Sequence, residues 1–208
     1  MKKLTKEKVV HSWLFSGLSD LFFAFQIDSP FNYEPFIDAM AFEKICKSYL
    51  LAENFIEYKD LNDDEAKKKI NSLARRWGHR LKTMANKINE YIGNERIETI
   101  MNQDFDGYTG KQLVKVMEAA YLECRYPVPK HIHEEFPVKG KSGVYWVPIA
   151  SSGIEKLCFA FARAIIVSLR EKFHITVPKD SFYKIVNGDA GVRFCNLFLK
   201  DIPDDFLT

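Results

Sequence analysis

Glycine and proline are scarce in this 208-residue chain, at 10 and 8. That scarcity argues against collagen-like and low-complexity sequence. No apolar run approaches the ~18–20 residues that a membrane-spanning helix requires. The basic start, MKKLTKEKVVHSW, is followed by no long apolar core and no small-residue cleavage site, so no signal peptide is expected. Only four cysteines occur, Cys46, Cys124, Cys158 and Cys195, and none forms a CxxC or a Cys/His pair at zinc-finger spacing. Each lies among apolar neighbours at helical spacing, so buried reduced thiols and a cytoplasmic protein are expected. Neither charge dominates: Lys+Arg 30 against Asp+Glu 28 gives +2, which excludes a polycationic surface but not a local basic patch. There is no glycine-rich loop followed by Lys-Ser/Thr, hence no P-loop, and no GxSxG. Asp104, Asp106 and Gly107 lack the ligand series of a calcium loop.

What the chain has in excess is aromatic side chains, 14% of all residues, and long amphipathic segments. Apolar residues at helical spacing predict helices over Lys6 to Gln26, about Glu34 to Tyr58, His79 to Ile92, Gly110 to Arg125 and Ile154 to Phe173. A polar helix from Glu65 is expected as well, followed by one or two short helices in the tail. Thr109 suits an N-cap, and Asn102 to Gly107 suits an ordered loop. Residues 126 to 150 hold Pro127, Pro129, Pro137, Pro148, Gly140 and Gly143, and predict a long loop with a short strand or hairpin at Gly143 to Val147. The expected fold class is all-α: a helical bundle with one elaborated loop between its fourth and fifth core helices.

Charge is segregated along the chain. Residues 53 to 65 are acidic, whereas residues 66 to 87 carry Lys67, Lys68, Lys69, Arg75, Arg76, Arg80, Lys82 and Lys87 with no acid among them. Such a run favours phosphate oxygens, and Trp77 offers a stacking surface for a base. The alternative is a solvated helix face whose cations pair with the acidic segment.

A second group of residues follows Tyr121-Leu122-Glu123-Cys124-Arg125-Tyr126-Pro127, with His131 and His133 beyond it. Arg125 can hold a phosphate, and His131 can move a proton to or from an RNA hydroxyl. The alternative for Arg125 is a cation at a helix C-terminus. His131 and His133 lack a third ligand nearby, so no metal site is expected.

Three segments together resemble the HEPN family. Ile37-Asp38-Ala39-Met40-Ala41-Phe42-Glu43-Lys44-Ile45-Cys46-Lys47-Ser48-Tyr49-Leu50-Leu51 is similar to the HEPN helix reading small-x-x-Glu-Lys-x-x-Lys-x-x-Leu-Leu. Gly78-His79-Arg80-Leu81 resembles the family's Gly-His-x-Leu helix start, and Ala120 to Pro127 its Ala-Tyr-x-x-x-Arg-Tyr-Pro segment. An aliphatic last helix with Ala160, Ala164 and Ile166 follows, so the resemblance covers residues 35 to 173. It implies a HEPN-like bundle over 35–173; an N-terminal helix over 1–34 and a C-terminal extension over 174–208 packed on the bundle are expected outside it, without a clear counterpart in the family. HEPN proteins are helical bundles, often dimeric. Some are metal-independent ribonucleases of toxin–antitoxin or phage-defence systems; others bind nucleotides or pair with a nucleotidyltransferase-like protein. Catalytic members carry Arg, four to six residues, then His, a spacing that Arg125 and His131 satisfy.

The resemblance therefore implies a nucleotide- or RNA-binding protein, with metal-independent endoribonuclease activity as the sharper version. Arg125 and His131 would be catalytic; Arg75, Arg76, His79, Arg80, Tyr126 and His133 would contact phosphate or nucleic acid. No cofactor, no metal and no membrane are expected, and a homodimer is. The reading from a different class is a non-catalytic interaction protein that buries a protein partner against an exposed aromatic patch around Phe22, Phe23 and Phe25.

Overall fold

Two long helices supply the central pair of the structure, and the spacing of their small and apolar residues dictates how closely they pack. α1 (Lys6–Gln26) buries Val9, Val10, Leu14, Gly17, Leu18, Leu21 and Phe22 along one stripe. α2 (Tyr33–Glu53) is buried on nearly every side from Ala39 to Ala52, as expected for a helix enclosed by neighbours. The two lie along one another. Gly17 permits the approach: a Cβ there would sit 2.8 Å from Ile45 Cγ1 and 3.0 Å from the Ala41 carbonyl oxygen. The computed structural model describes residues 4–26, 33–93, 95–123, 137–140, 143–186 and 188–203.

The remaining elements close around α2 in chain order. α3 (Asp63–Trp77) is followed by α4 (Leu81–Ile92), α5 (Arg96–Asn102), the short strands β1 (Asp104–Phe105) and β2 (Tyr108–Thr109), and α6 (Gly110–Glu123). Next come β3 (Pro137–Gly140), β4 (Gly143–Trp146), α7 (Val147–Phe173), α8 (Lys179–Ile185) and α9 (Gly188–Phe198). The described residues are thus predominantly helical, and their sheet is confined to two antiparallel two-stranded hairpins. α4, α6 and α7 pack on α2; α8 and α9 pack on α1. One apolar core runs continuously from Val10 to Ile202. A smaller one, with Val9, Leu51, Tyr58, Ala66, Ile70 and Leu73, seats α3 against the outer ends of α1 and α2.

Several boundaries differ from the sequence expectation, each for a local reason. α2 stops at Glu53 rather than running to Tyr58, because side chains take over its last carbonyls. Asn54 Nδ2 donates to the Leu50 oxygen at 2.7 Å and Tyr58 Oη to the Leu51 oxygen at 2.8 Å. The helix expected to begin at His79 begins at Leu81, after a turn in which Gly78 takes φ +57°. α7 begins at Val147, earlier than expected from Ser151-Ser152-Gly153, and takes in the end of the predicted loop. Asp106-Gly107 forms a hairpin turn, with both residues at positive φ as such two-residue turns require. Lys156 of α7 holds this turn through both Asp106 oxygens, at 2.6 and 2.8 Å.

The aromatic surplus is absorbed mainly inside. Phe159, Phe182, Phe194 and Phe198 pack edge-on and stacked where α7, α8 and α9 meet, and Phe22 and Phe25 join them from α1. Arg163 locks this corner: it donates to the carbonyls of Leu197 and Phe198 and pairs with Asp201 at 2.7 Å. The expected exposed patch therefore shrinks. Phe22 is buried, Phe25 is packed on the core, and only Phe23 of the three is exposed. Cys46, Cys158 and Cys195 are buried free thiols, and burial pushes the pKa of each above its ordinary value; Cys124 lies outside the described residues. No helix among the described residues is long and apolar enough to cross a membrane.

The Gly17 contact is directly testable. Gly17→Val forces two core helices apart and is expected to cost about 1–3 kcal/mol, the usual range for overpacking. Urea denaturation measures this, and a variant as stable as wild type would contradict the close approach.

Candidate nucleic-acid interface

The turn between α3 and α4 carries His79 and Arg80, and three contacts clamp it. The Gly78 N–H donates to the Arg75 oxygen at 3.0 Å, closing the end of α3. The Lys82 N–H donates to Glu118 Oε1 of α6 at 3.0 Å, so a carboxylate from another helix satisfies an orphan donor at the start of α4. His79 Nδ1 lies 2.7 Å from Glu43 Oε2 of α2. The second oxygen of Glu43 accepts from Lys47 Nζ at 2.5 Å, one helical turn further along α2.

Glu43 and Lys47 are both buried. Two charges can remain there only because each neutralises the other and further polar contacts occupy the remaining valences. Lys47 also faces the Trp13 ring, its Nζ 5.8 Å from the centroid. His79 stacks on Tyr121 of α6, with centroids 4.3 Å apart and planes 25° off parallel. Phe36 of α2 also packs on Tyr121, with ring centroids 5.5 Å apart. The His79 imidazole is thus held at one nitrogen and one face, while its side chain stays 48% exposed.

Around this turn the cations divide into two groups. Glu57 takes Lys69 at 2.9 Å and Arg76 at 3.6 Å, and these two cations hold its carboxyl below the ordinary range. Lys87 pairs with Glu90 at 2.6 Å. Lys67, Lys68, Arg75, Arg80 and Lys82 are exposed and make no ion pair with the described residues. Local pairing with the acidic segment therefore accounts for part of the basic run only. Trp77 is not presented for stacking on a base: it packs against both apolar cores.

The sequence-derived residues are thus distributed unevenly. Arg75, Arg76, His79 and Arg80 come together at the end of α3 and the turn beyond it. Arg125, Tyr126, His131 and His133 lie outside the described residues. Sequence reading missed the Glu43–His79 contact. Its signal was present, since the segments holding Glu43 and His79 both carry the family-like motifs, but nothing in the spacing joins residues so far apart in the chain.

Two other polar features lie elsewhere. A cleft of about 220 Å³ is lined by Tyr49, Tyr91, Ile92, Ser168, Glu171 and Lys172. Its charges are matched, Lys172 with Glu53 at 2.5 Å and Arg96 with Glu171 at 2.9 Å, so it holds no excess positive charge for an anion. Asp38 of α2 is buried and has no hydrogen-bond partner among the described residues at either carboxyl oxygen. Burial pushes its pKa well above the ordinary carboxylate range, and Glu34 and Glu155 push it further. No group of three or more His, Cys, Asp or Glu side chains suited to a metal ion occurs among the described residues. The chain matches no family model, no curated protein and no solved structure.

Asp38 yields a pH prediction with a definite sign. Its folded-state affinity for a proton exceeds that of the unfolded chain, so its contribution to stability is full at acid pH and is lost as pH rises from about 4. Asp38→Asn removes that loss. Its stability relative to wild type should therefore grow by up to about 1.4 kcal/mol per pH unit above pH 4 until the native carboxyl ionises. Paired denaturation curves between pH 4 and 8 measure the difference, and a pH-independent difference would refute the assignment.

Proposed function

We propose that this chain is a HEPN-like helical protein that binds the phosphates of a nucleotide or RNA on the α3–α4 turn. The observation that carries this reading is the set of cations without an ion pair among the described residues, Arg75 and Arg80 foremost, beside a positioned and exposed His79. Phosphate oxygens accept from guanidinium groups in a charge-assisted, directional way, and the local charge excess draws a polyanion although the whole chain is nearly neutral. Arg76 joins them at the rim, its charge shared with Glu57. On the family resemblance, Tyr126 and His133 are further contacts to phosphate or nucleic acid.

In the sharper version of this reading the protein is a metal-independent endoribonuclease of a toxin–antitoxin or phage-defence system, with Arg125 and His131 as its catalytic residues. It works in the cytoplasm as a homodimer, alone or with a nucleotidyltransferase-like partner. A second reading, a non-catalytic interaction protein, draws support from Phe23 of α1 and from Tyr183, Val192 and Leu197 of the adjoining α8 and α9. All four are exposed large apolar side chains.

Fluorescence anisotropy with a labelled single-stranded RNA separates the two readings. Wild-type binding should weaken steeply with salt. Arg75→Glu combined with Arg80→Glu should weaken binding and lower the log–log salt slope by about 1.4, given ~0.7 per phosphate contact on a single strand. Binding that ignores salt, or no binding by the wild type, would remove this reading and leave the interaction protein.

A further inference from the structure

The contacts of His79 assign it more than a binding role. A carboxylate paired with a lysine can only accept hydrogen bonds, so the imidazole must carry its proton on Nδ1, where it faces Glu43. The other nitrogen, Nε2, then bears the lone pair, and no described residue bonds it. The ring cannot swing away freely: Tyr121 covers one face, and the turn is closed at Gly78 and Lys82. A histidine with its tautomer fixed by a buried carboxylate, one nitrogen open to solvent and arginines on both sides in the chain has the attributes of a positioned proton acceptor.

We propose that His79, in place of His131, is the catalytic base for RNA cleavage on this surface and that Glu43 is its positioning residue. The inference rests on the phosphate-binding reading above, because the cations of the turn must hold the scissile phosphate near Nε2. In the step, Nε2 accepts the proton of the ribose 2′-hydroxyl. The 2′ oxygen forms a bond to phosphorus as the bond from phosphorus to the 5′ oxygen breaks. Water supplies a proton to the leaving 5′ oxygen, and the imidazolium returns its proton to the hydroxide so formed. The products are a 2′,3′-cyclic phosphate and a 5′-hydroxyl, with nothing oxidised or reduced. DNA, which lacks the attacking hydroxyl, would bind without being cut.

Lys47 completes the arrangement from behind. It holds Glu43 so that the carboxylate neither rotates nor leaves the ring, which keeps Nδ1 protonated between turnovers. This role differs from that of a carboxylate free at a surface, whose hydrogen bond to a histidine would be exchanged for water.

The test uses the full chain, a labelled single-stranded RNA and its DNA counterpart, with EDTA present throughout. Wild type should cut the RNA to a 2′,3′-cyclic phosphate and leave the DNA intact. His79→Ala should lower the cleavage rate about 100-fold or more, the scale of a lost acid–base group, while salt-dependent RNA binding through Arg75 and Arg80 persists. Glu43→Gln should lower kcat and leave KM near wild type, since the amide fills the same space but can present its donor to Nδ1 and release the tautomer. A role confined to folding would instead change melting temperature and KM together.

The outcomes separate this inference from the reading beneath it. RNA binding without any cleavage by the wild type, or cleavage unaffected in His79→Ala but abolished in His131→Ala, overturns the assignment of His79 and leaves phosphate binding standing. Failure of the wild type to bind RNA overturns both. Should His79→Ala not fold, His79→Gln keeps a donor for Glu43 without a titrating ring and is expected to bind RNA and not cut it.

Discussion

The buried pair of Glu43 and Lys47 is the constraint around which the other elements are placed. Both charges sit on α2, the helix that the bundle encloses, and neither can be left alone there: breaking such a pair typically costs about 3–5 kcal/mol. Lys47 finds its partner within its own helix, one turn away. Glu43 has a second oxygen to satisfy, and it reaches outward to the turn carrying His79. With the Glu118 contact to Lys82, the Tyr121 stack and Leu81 in the main core, that hydrogen bond ties the α3–α4 turn to the centre of the molecule. α6 contributes at both edges of the turn, with Tyr121 under the imidazole and Glu118 at the first turn of α4. The same interaction that makes two buried charges tolerable therefore gives a surface histidine a fixed orientation.

The elements most legible in the sequence are those governed by period. α1 follows its apolar stripe from Lys6 to Gln26, and Gly93 closes α4 in the left-handed conformation expected of a glycine after a helix. Thr109 caps α6 as expected, and Gln112 makes the cap reciprocal, the side chain of each meeting the backbone N–H of the other. The boundaries that moved are those set by tertiary contacts. Nothing in the local pattern tells that Tyr58 will fold back onto the Leu51 carbonyl and end α2, or that α4 will be capped by a glutamate of α6. Likewise α2 shows no stripe, because it is surrounded, and period alone cannot distinguish the face that meets α1 from the face that meets α7.

For the site, residue types were legible and their pairing was not. The basic run and the Gly-His-Arg-Leu segment drew attention to Arg75, Arg76, His79 and Arg80, and the structure groups them. The run also named Trp77 as a stacking surface, whereas its ring fills the junction between the two cores, as large aromatics beside an apolar seam commonly do. Glu43 read as one charged position on a helix; its burial, and hence its power to orient a distant histidine, is a property of the packed bundle. The aromatic excess, expected partly at the surface, is spent instead on joining α8 and α9 to α1 and α7.

The claim on which the account turns is that a bound phosphate meets the Nε2 side of His79 while Nδ1 stays with Glu43. Nitrogen-15 imidazole NMR with the ring assigned, recorded while a single-stranded oligonucleotide with a non-cleavable 2′-deoxy linkage is added, reads this at the two nitrogens separately. The account predicts that the Nε2 signal of His79 moves in proportion to occupancy while Nδ1 remains the protonated, hydrogen-bonded nitrogen. A titration in which His79 is silent and only other histidines respond would contradict it.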